Sequence, residues 1–258
     1  MVRGEPVGWF VGFNFMKKIL ATITGICISF AAMAASDYAT TAAKAQRFFD
    51  AREWASAQAL YGLMLDQRPD ADSVYVRAIV ASSMLRHNQT ASQLLTDAMK
   101  AGVSFSRLMS GVKSVAFEVG APAVYEDFLI RSQRDCPWLE RAIDAELLNY
   151  YMFRNNGQKT VEYARKMLAG LPDSVEYLSD LAQGYIAMGD GERASDIWKK
   201  ILSLDPDNYL TLLNLGNYYD ITGDRPGAAD YLQRAARIRQ TPYIAKRLAV
   251  LDTVEKKH

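Results

Sequence analysis

Apolar residues return along this chain at helical spacing, and in its C-terminal third one whole arrangement of them returns. Leu178, Leu181, Ala182 and Tyr185 stand at i, i+3, i+4 and i+7, a single stripe of a helix. Gly189-Asp190-Gly191 breaks the stripe, because Gly tolerates the left-handed turn that ends a helix. A second stripe follows in Ala194, Ile197, Trp198, Ile201 and Leu202. Pro206 stops it, having no N–H for the next backbone hydrogen bond. The pattern then recurs 34 residues on, as Leu212, Leu215, Gly216, Tyr219, Gly223, Asp224, Ala228 and Leu232. A fixed period of this length predicts stacked helical hairpins, none able to bury its apolar face alone. Small Ala182, Gly216, Ala194 and Ala228 let paired helices approach, while Tyr185, Trp198 and Tyr219 fill the gaps between them.

Upstream the pattern thins. Residues 39–69 keep Ala45 and Phe48, a break at Ala51-Arg52-Glu53, then Trp54, Ala57, Tyr61 and Met64 before Pro69. Residues 73–101 retain only Ala78, Ala91, Leu95 and Ala98. Residues 106–134 read as a hairpin by periodicity, with Val112, Val115, Ala116 and Val119 ahead of Gly120-Ala121-Pro122, then Val124, Phe128 and Leu129. Residues 139–172 carry Leu147 and Tyr151, a turn at Asn155-Asn156-Gly157, then Val161, Ala164, Met167 and Leu168.

Residues 174–241 resemble the tetratricopeptide repeat (TPR) family. Its pattern is a large residue, Leu, a small residue and Tyr on helix A, then Ala, an aromatic and Pro around helix B. Leu178 and Gln240 depart from the usual Trp and Pro, and Pro242 comes two residues late. The resemblance implies an all-α fold, a right-handed α-solenoid of about six TPR-like helical hairpins. A C-terminal capping helix is expected from Pro242 to about Val254, ending in polar Glu255-Lys256-Lys257-His258. It also implies a ligand on a concave face built from the A helices. By register that face presents Asn149 and Phe153, then Ser179 and Gln183, then Leu213, Asn214, Asn217 and Asp220. Asn and Gln donate and accept at once, which suits extended peptide backbone. Gripping a C-terminal carboxylate, as some family members do with Lys and Asn, is not expected, because Ala145 or Ser179 stands where the first Lys belongs. The aromatics Phe48, Phe49, Tyr150, Tyr151, Tyr218 and Tyr219 are assigned to repeat packing.

The N-terminal segment reads differently. Lys17-Lys18 precede an apolar run from Ile19 to Ala31, and Ala32-Met33-Ala34 supplies the small residues a signal peptidase reads. The run is shorter than the roughly 20 residues that span hydrocarbon. Residues 16–34 are therefore expected to be a cleaved signal peptide, with 1–15 an extension ahead of the true start at Met16. Residues 36–258 then form the repeat domain, exported to the periplasm, with no transmembrane span. Cys27 lacks the small residue before it that a lipid attachment site needs, since Ile26 stands there. Cleavage would remove Arg3, Lys17, Lys18 and Glu5 from 30 basic and 29 acidic side chains, leaving a net charge of −1. That balance argues against nucleic acid as a partner, and the cluster Arg234, Arg237, Arg239, Lys246 and Arg247 is read as a solvated face. Cys136 would remain as a single thiol, so no internal disulfide is expected; burial at its hairpin junction is the expectation, and pairing with another chain the alternative.

Catalytic chemistry is thin. With His87 in a solvated turn and His258 at the terminus, a metal site has too few soft ligands, and none is expected. No phosphate loop, nucleophile elbow or HExxH motif occurs. Glu140, Asp144, Glu146, Asp173 and Glu176 are spaced as helix-surface carboxylates and N-caps such as Asp173-Ser174, from which a glycosidase-like pair cannot be told. No cofactor is expected and no enzyme. The expected activity is that of a non-catalytic protein- or peptide-binding scaffold of the cell envelope. A glycan-recognition module and a self-assembling repeat protein are the alternatives.

Overall fold

The computed structural model describes residues 37–255, and every regular element within them is helical. Helix α1 covers residues 37–50. It is followed by α2 (Trp54–Gln67), α3 (Asp72–Met84), α4 (Asn88–Lys100), α5 (Phe105–Glu118) and α6 (Pro122–Asp135). A 3-10 turn at Pro137–Leu139 leads into α7 (Glu140–Phe153), α8 (Gly157–Gly170), α9 (Val175–Ala187) and α10 (Gly191–Leu204). The series ends with α11 (Tyr209–Thr222), α12 (Arg225–Ile238) and α13 (Pro242–Glu255). The expected signal peptide at 16–34 and the extension at 1–15 lie outside the described residues.

One backbone device closes every hairpin. Arg52, Arg86, Gly120, Asn155, Gly189 and Gly223 each sit at positive φ, between 51° and 90°. Successive members are 34 residues apart, except that 35 separate Gly120 from Asn155. At the first turn the Arg52 amide donates to the Phe49 carbonyl and the Glu53 amide to the Phe48 carbonyl; at the fifth, Gly189 donates to Ile186 and Asp190 to Tyr185. This paired bonding satisfies the last carbonyls of a helix and turns the chain back on itself. The period plain in two repeats of the sequence is thus present six times in the backbone.

Alternate helices play two parts. The odd-numbered helices to α11 are the A helices, and each is followed by its even-numbered B partner. Helix α3 packs against α2, α4 and α5, and α9 against α8, α10 and α7. Each of these two A helices meets its own B helix, the preceding B helix and a neighbouring A helix. Close approach needs small residues where helices cross. A Cβ on Gly216 would lie 2.7 Å from Leu232 Cγ, and one on Gly111 2.6 Å from Val76 Cγ2. Around Gly216, Leu212, Ala228, Leu232 and Ala235 are fully buried and continue into Ile244 and Leu251 of α13. Burying each Leu or Ile stabilises the fold by about 2 kcal/mol before the entropy of ordering it.

The helices group into two compact units, the first ending at Arg131 and the second beginning at Ser132. The thin repeats at 73–101 and 106–134 form hairpins α3–α4 and α5–α6. Their retained Ala78, Ala91, Leu95, Ala98, Val112 and Ala116 are all buried. Among the aromatics assigned to packing, Phe49, Tyr150 and Tyr151 are buried, whereas Phe48, Tyr218 and Tyr219 keep part of their surface in solvent. Cys136 is buried, as expected.

Candidate functional site

Three A helices of the second unit carry all the positions expected to meet a ligand. On α7 and α9, Asn149, Phe153, Ser179 and Gln183 are exposed. Phe153 stands out at 71% exposure for a large apolar side chain. Ser179 Oγ donates back to the Val175 carbonyl at 2.7 Å, so its hydrogen is already used. On α11, Asn214 is exposed, while Leu213, Asn217 and Asp220 are half-buried. Asn149, Gln183 and Asn217 are 34 residues apart, so each holds the same place on its A helix.

The closing helix reaches two of these positions. Tyr243 Oη donates to Asn217 Oδ1 at 2.8 Å, and Arg247 pairs with Asp220. The register placed Asn217 and Asp220 on the A-helix face, but did not show that α13 would bind both. The Arg247 and Arg234 of the basic cluster are spent internally, Arg234 on the Pro206 carbonyl at 3.1 Å. Arg239 lies 4.0 Å over the Tyr209 ring.

Other exposed groups were not singled out from the sequence. Ile186, Leu210 and Ile221 are 40%, 65% and 83% exposed on α9 and α11. Their signal was available: each is apolar yet lies off the buried stripe of its helix. Asp180, half-buried on α9, has its carboxyl pushed up to about 6 by burial and then by the Glu176 charge one turn away.

In the first unit, α1, α3 and α5 frame a cavity of about 200 Å³. Phe49 and Trp54, edge to face with centroids 5.1 Å apart, line it together with Asp50, Arg52, Arg77 and Glu118. The Tyr61 hydroxyl is buried without a partner, and burial pushes its pKa up to about 12. No residue of this unit was expected to form a site.

One of the carboxylates assigned to helix surfaces is not on a surface. Asp144 is 7% exposed, accepts from Gln133 Nε2 at 2.5 Å and lies 3.6 Å from Lys166 Nζ. Burial raises its pKa, and the Lys166 charge opposes that rise. It lines a cavity of about 400 Å³ with Glu140, Arg141 and Lys166, where the two cations offset the two acids. Asp173 is not a cap; Ser174 caps α9, and Asp173 pairs with Lys200 at 3.3 Å. Among the described residues no cluster of His, Cys, Asp and Glu could hold a metal ion. No described helix is long and apolar enough to cross a membrane.

No protein-family profile matches the chain, and no curated protein matches it. Solved structures do. PilW, described as a widely conserved type IV pilus biogenesis factor, is 14% identical with a TM-score of 0.48, covering 82% of this chain and 98% of its own. The C-terminal part of a TPR repeat-containing protein from Cytophaga hutchinsonii is 14% identical at TM-score 0.46, covering 75% and 77%. MamA from MSR-1 is 18% identical at 0.45, covering 68% and 97%. Among the described residues six helical hairpins, their turns 34 or 35 residues apart and each passing through one left-handed residue, precede a closing helix, and together they make this a TPR-like fold.

Proposed function

We propose that the chain is a non-catalytic scaffold that holds an extended segment of a protein partner along the A helices of its second unit. The observation that carries this reading is the row Asn149, Gln183 and Asn217, one amide per repeat at the same helical position. Packed helices stand roughly 10 Å apart, and an extended chain advances about 3.3 Å per residue. A row of amides one repeat apart therefore meets a bound strand at intervals of about three residues. The Asn149 and Gln183 amides can each donate and accept, so they suit either a C=O or an N–H, while Asn217, whose Oδ1 already accepts from Tyr243, is left to donate. Exposed Phe153, Ile186, Leu210 and Ile221 on the same helices offer apolar area for alternate side chains.

Export is part of the proposal. Lys17-Lys18, the apolar run Ile19–Ala31 and Ala32-Met33-Ala34 support secretion with cleavage after Ala34. N-terminal sequencing of the protein from a periplasmic extract then begins at Ala35; recovery of the intact chain from the cytosol overturns the export reading.

The binding test is capture from envelope extract with the full chain and with its Asn149→Arg plus Gln183→Arg variant. Both positions are exposed, so helicity and melting are expected to stay unchanged. Loss of a captured protein by the variant supports the A-helix face. Equal capture by both chains moves the interface elsewhere.

A further inference from the structure

The first unit contains a second cavity, of about 320 Å³, on the side of the B helices. It lies where the end of α3 and the start of α4 face α6. Its polar lining includes Arg86, Arg131, Asn88, Ser83 and Asp127, and Phe128 closes its apolar side. The volume is at the lower end of what small-molecule sites enclose.

Two features give this space a preference. Neither guanidinium makes an ion pair or a side-chain hydrogen bond among the described residues, although both face the same cavity. Asp127 supplies one negative charge against their two, and lies one helical turn from Arg131 without pairing with it. An ammonium ligand would meet excess positive charge, whereas an anion would relieve the repulsion and gain charge-assisted hydrogen bonds. Asn88, which opens α4 without any side-chain cap at His87, adds a donor and the positive end of the helix.

Arg86 is there at a cost. Its φ of 59° occupies the turn position that is Gly in three of the six hairpins. A side chain in that region costs roughly 1 kcal/mol, the same cost Arg52 carries at the equivalent first turn. The strained turn directs this guanidinium to the cavity wall.

We infer that this cavity binds a small organic anion, a carboxylate or phosphate joined to a compact apolar body. Arg86 and Arg131 hold the charged group, and Phe128 packs the body. This site is separate from the A-helix face of the second unit and does not depend on it.

The test is titration of the full chain with inorganic phosphate, phenyl phosphate and benzoate, followed by calorimetry. Saturable binding of phenyl phosphate or benzoate is expected, weakened by added salt. Arg131→Met and Arg86→Gln should each weaken it about tenfold, the value of one lost charge-assisted bond. Ala123→Trp, which fills the space with both arginines intact, should abolish it. Unliganded melting and helicity identify any variant that has failed to fold. Phenyl phosphate binding without benzoate assigns a phosphate source, and the reverse assigns a carboxylate; either supports the site. No saturation by any probe to about 10 mM, well past a millimolar Kd, overturns the proposal. So does binding that survives both arginine substitutions.

Discussion

The two units build the same hairpin with different local chemistry. In the second, helices α8 to α12 start on Asn156, Ser174, Asp190, Asn208 and Asp224, and each side chain accepts the backbone amide three residues on. In the first, α2 to α5 start on Glu53, Ala71, His87 and Ser104, and none makes that bond. The turns differ in the same direction. Two of the three positive-φ hairpin-turn residues are Gly in the second unit, Gly189 and Gly223 beside Asn155, and two of three are Arg in the first, Arg52 and Arg86 beside Gly120. Burial does not differ: Ala57, Ile79, Leu95 and Leu108 are as enclosed as Ala194, Ile201, Leu212 and Leu232. Packing alone therefore holds the repeat geometry, and caps and glycines add local stability to it.

The largest effect should come from removing that local layer where it exists. Asp190→Ala and Asp224→Ala each lose a cap worth about 1 kcal/mol, so the double variant should lower unfolding free energy by about 2 kcal/mol in urea. Ala71→Ser, which installs a cap where the first unit has none, should raise it by a few tenths to 1 kcal/mol. If the cap losses cost nothing, the second unit does not depend on its caps and the contrast fails.

Asp180 gives a smaller, pH-dependent test. Its folded pKa, about 6, lies above the ordinary 3.8, so folding favours the protonated acid. Its favourable contribution is complete below the unfolded value and is lost as pH rises through 6. Asp180→Asn should therefore stabilise the protein at pH 7 by on the order of 1 kcal/mol, after discounting for solvent screening of a half-exposed group. The gain should vanish near pH 4. Thermal melts at both pH values decide it, and a gain equal at both would remove titration as the cause.

The smallest effect concerns the turns. Arg52→Gly relieves the left-handed strain, worth roughly 1 kcal/mol, but loses the long 3.4 Å bond from Arg52 Nη2 to the Val119 carbonyl. A net gain of about 0.5 kcal/mol is expected, read from the urea midpoint, with no matching gain for Gly189→Arg.

Legibility followed this same divide. The repeats at 174–241 were readable because caps, turn glycines and small crossing residues are local signals that sequence spacing displays directly. The repeat at 73–101 was faint because its turn rests on Arg86 rather than Gly; at 106–134 only the Gly120 turn and the helical period showed, since buried Ala, Val and Leu are shared by many helices. At the candidate site, the register placed Asn149, Phe153, Ser179, Gln183 and Asn214 on exposed helix surface. It could not show that Tyr243 and Arg247, more than twenty residues away, engage Asn217 and Asp220.

The sequence by itself determined the helical hairpin, its 34-residue period, the closing helix and the row of amides. Each follows from residue types at fixed separations along one helix or turn. Tertiary structure alone decided which side chains stay available. It buried Asp144 beside Lys166, engaged Asn217 and Asp220 with α13, and left Arg86 and Arg131 facing one cavity. Those outcomes depend on where distant helices cross, and helix crossing is set by the summed packing of many side chains, which no single spacing encodes.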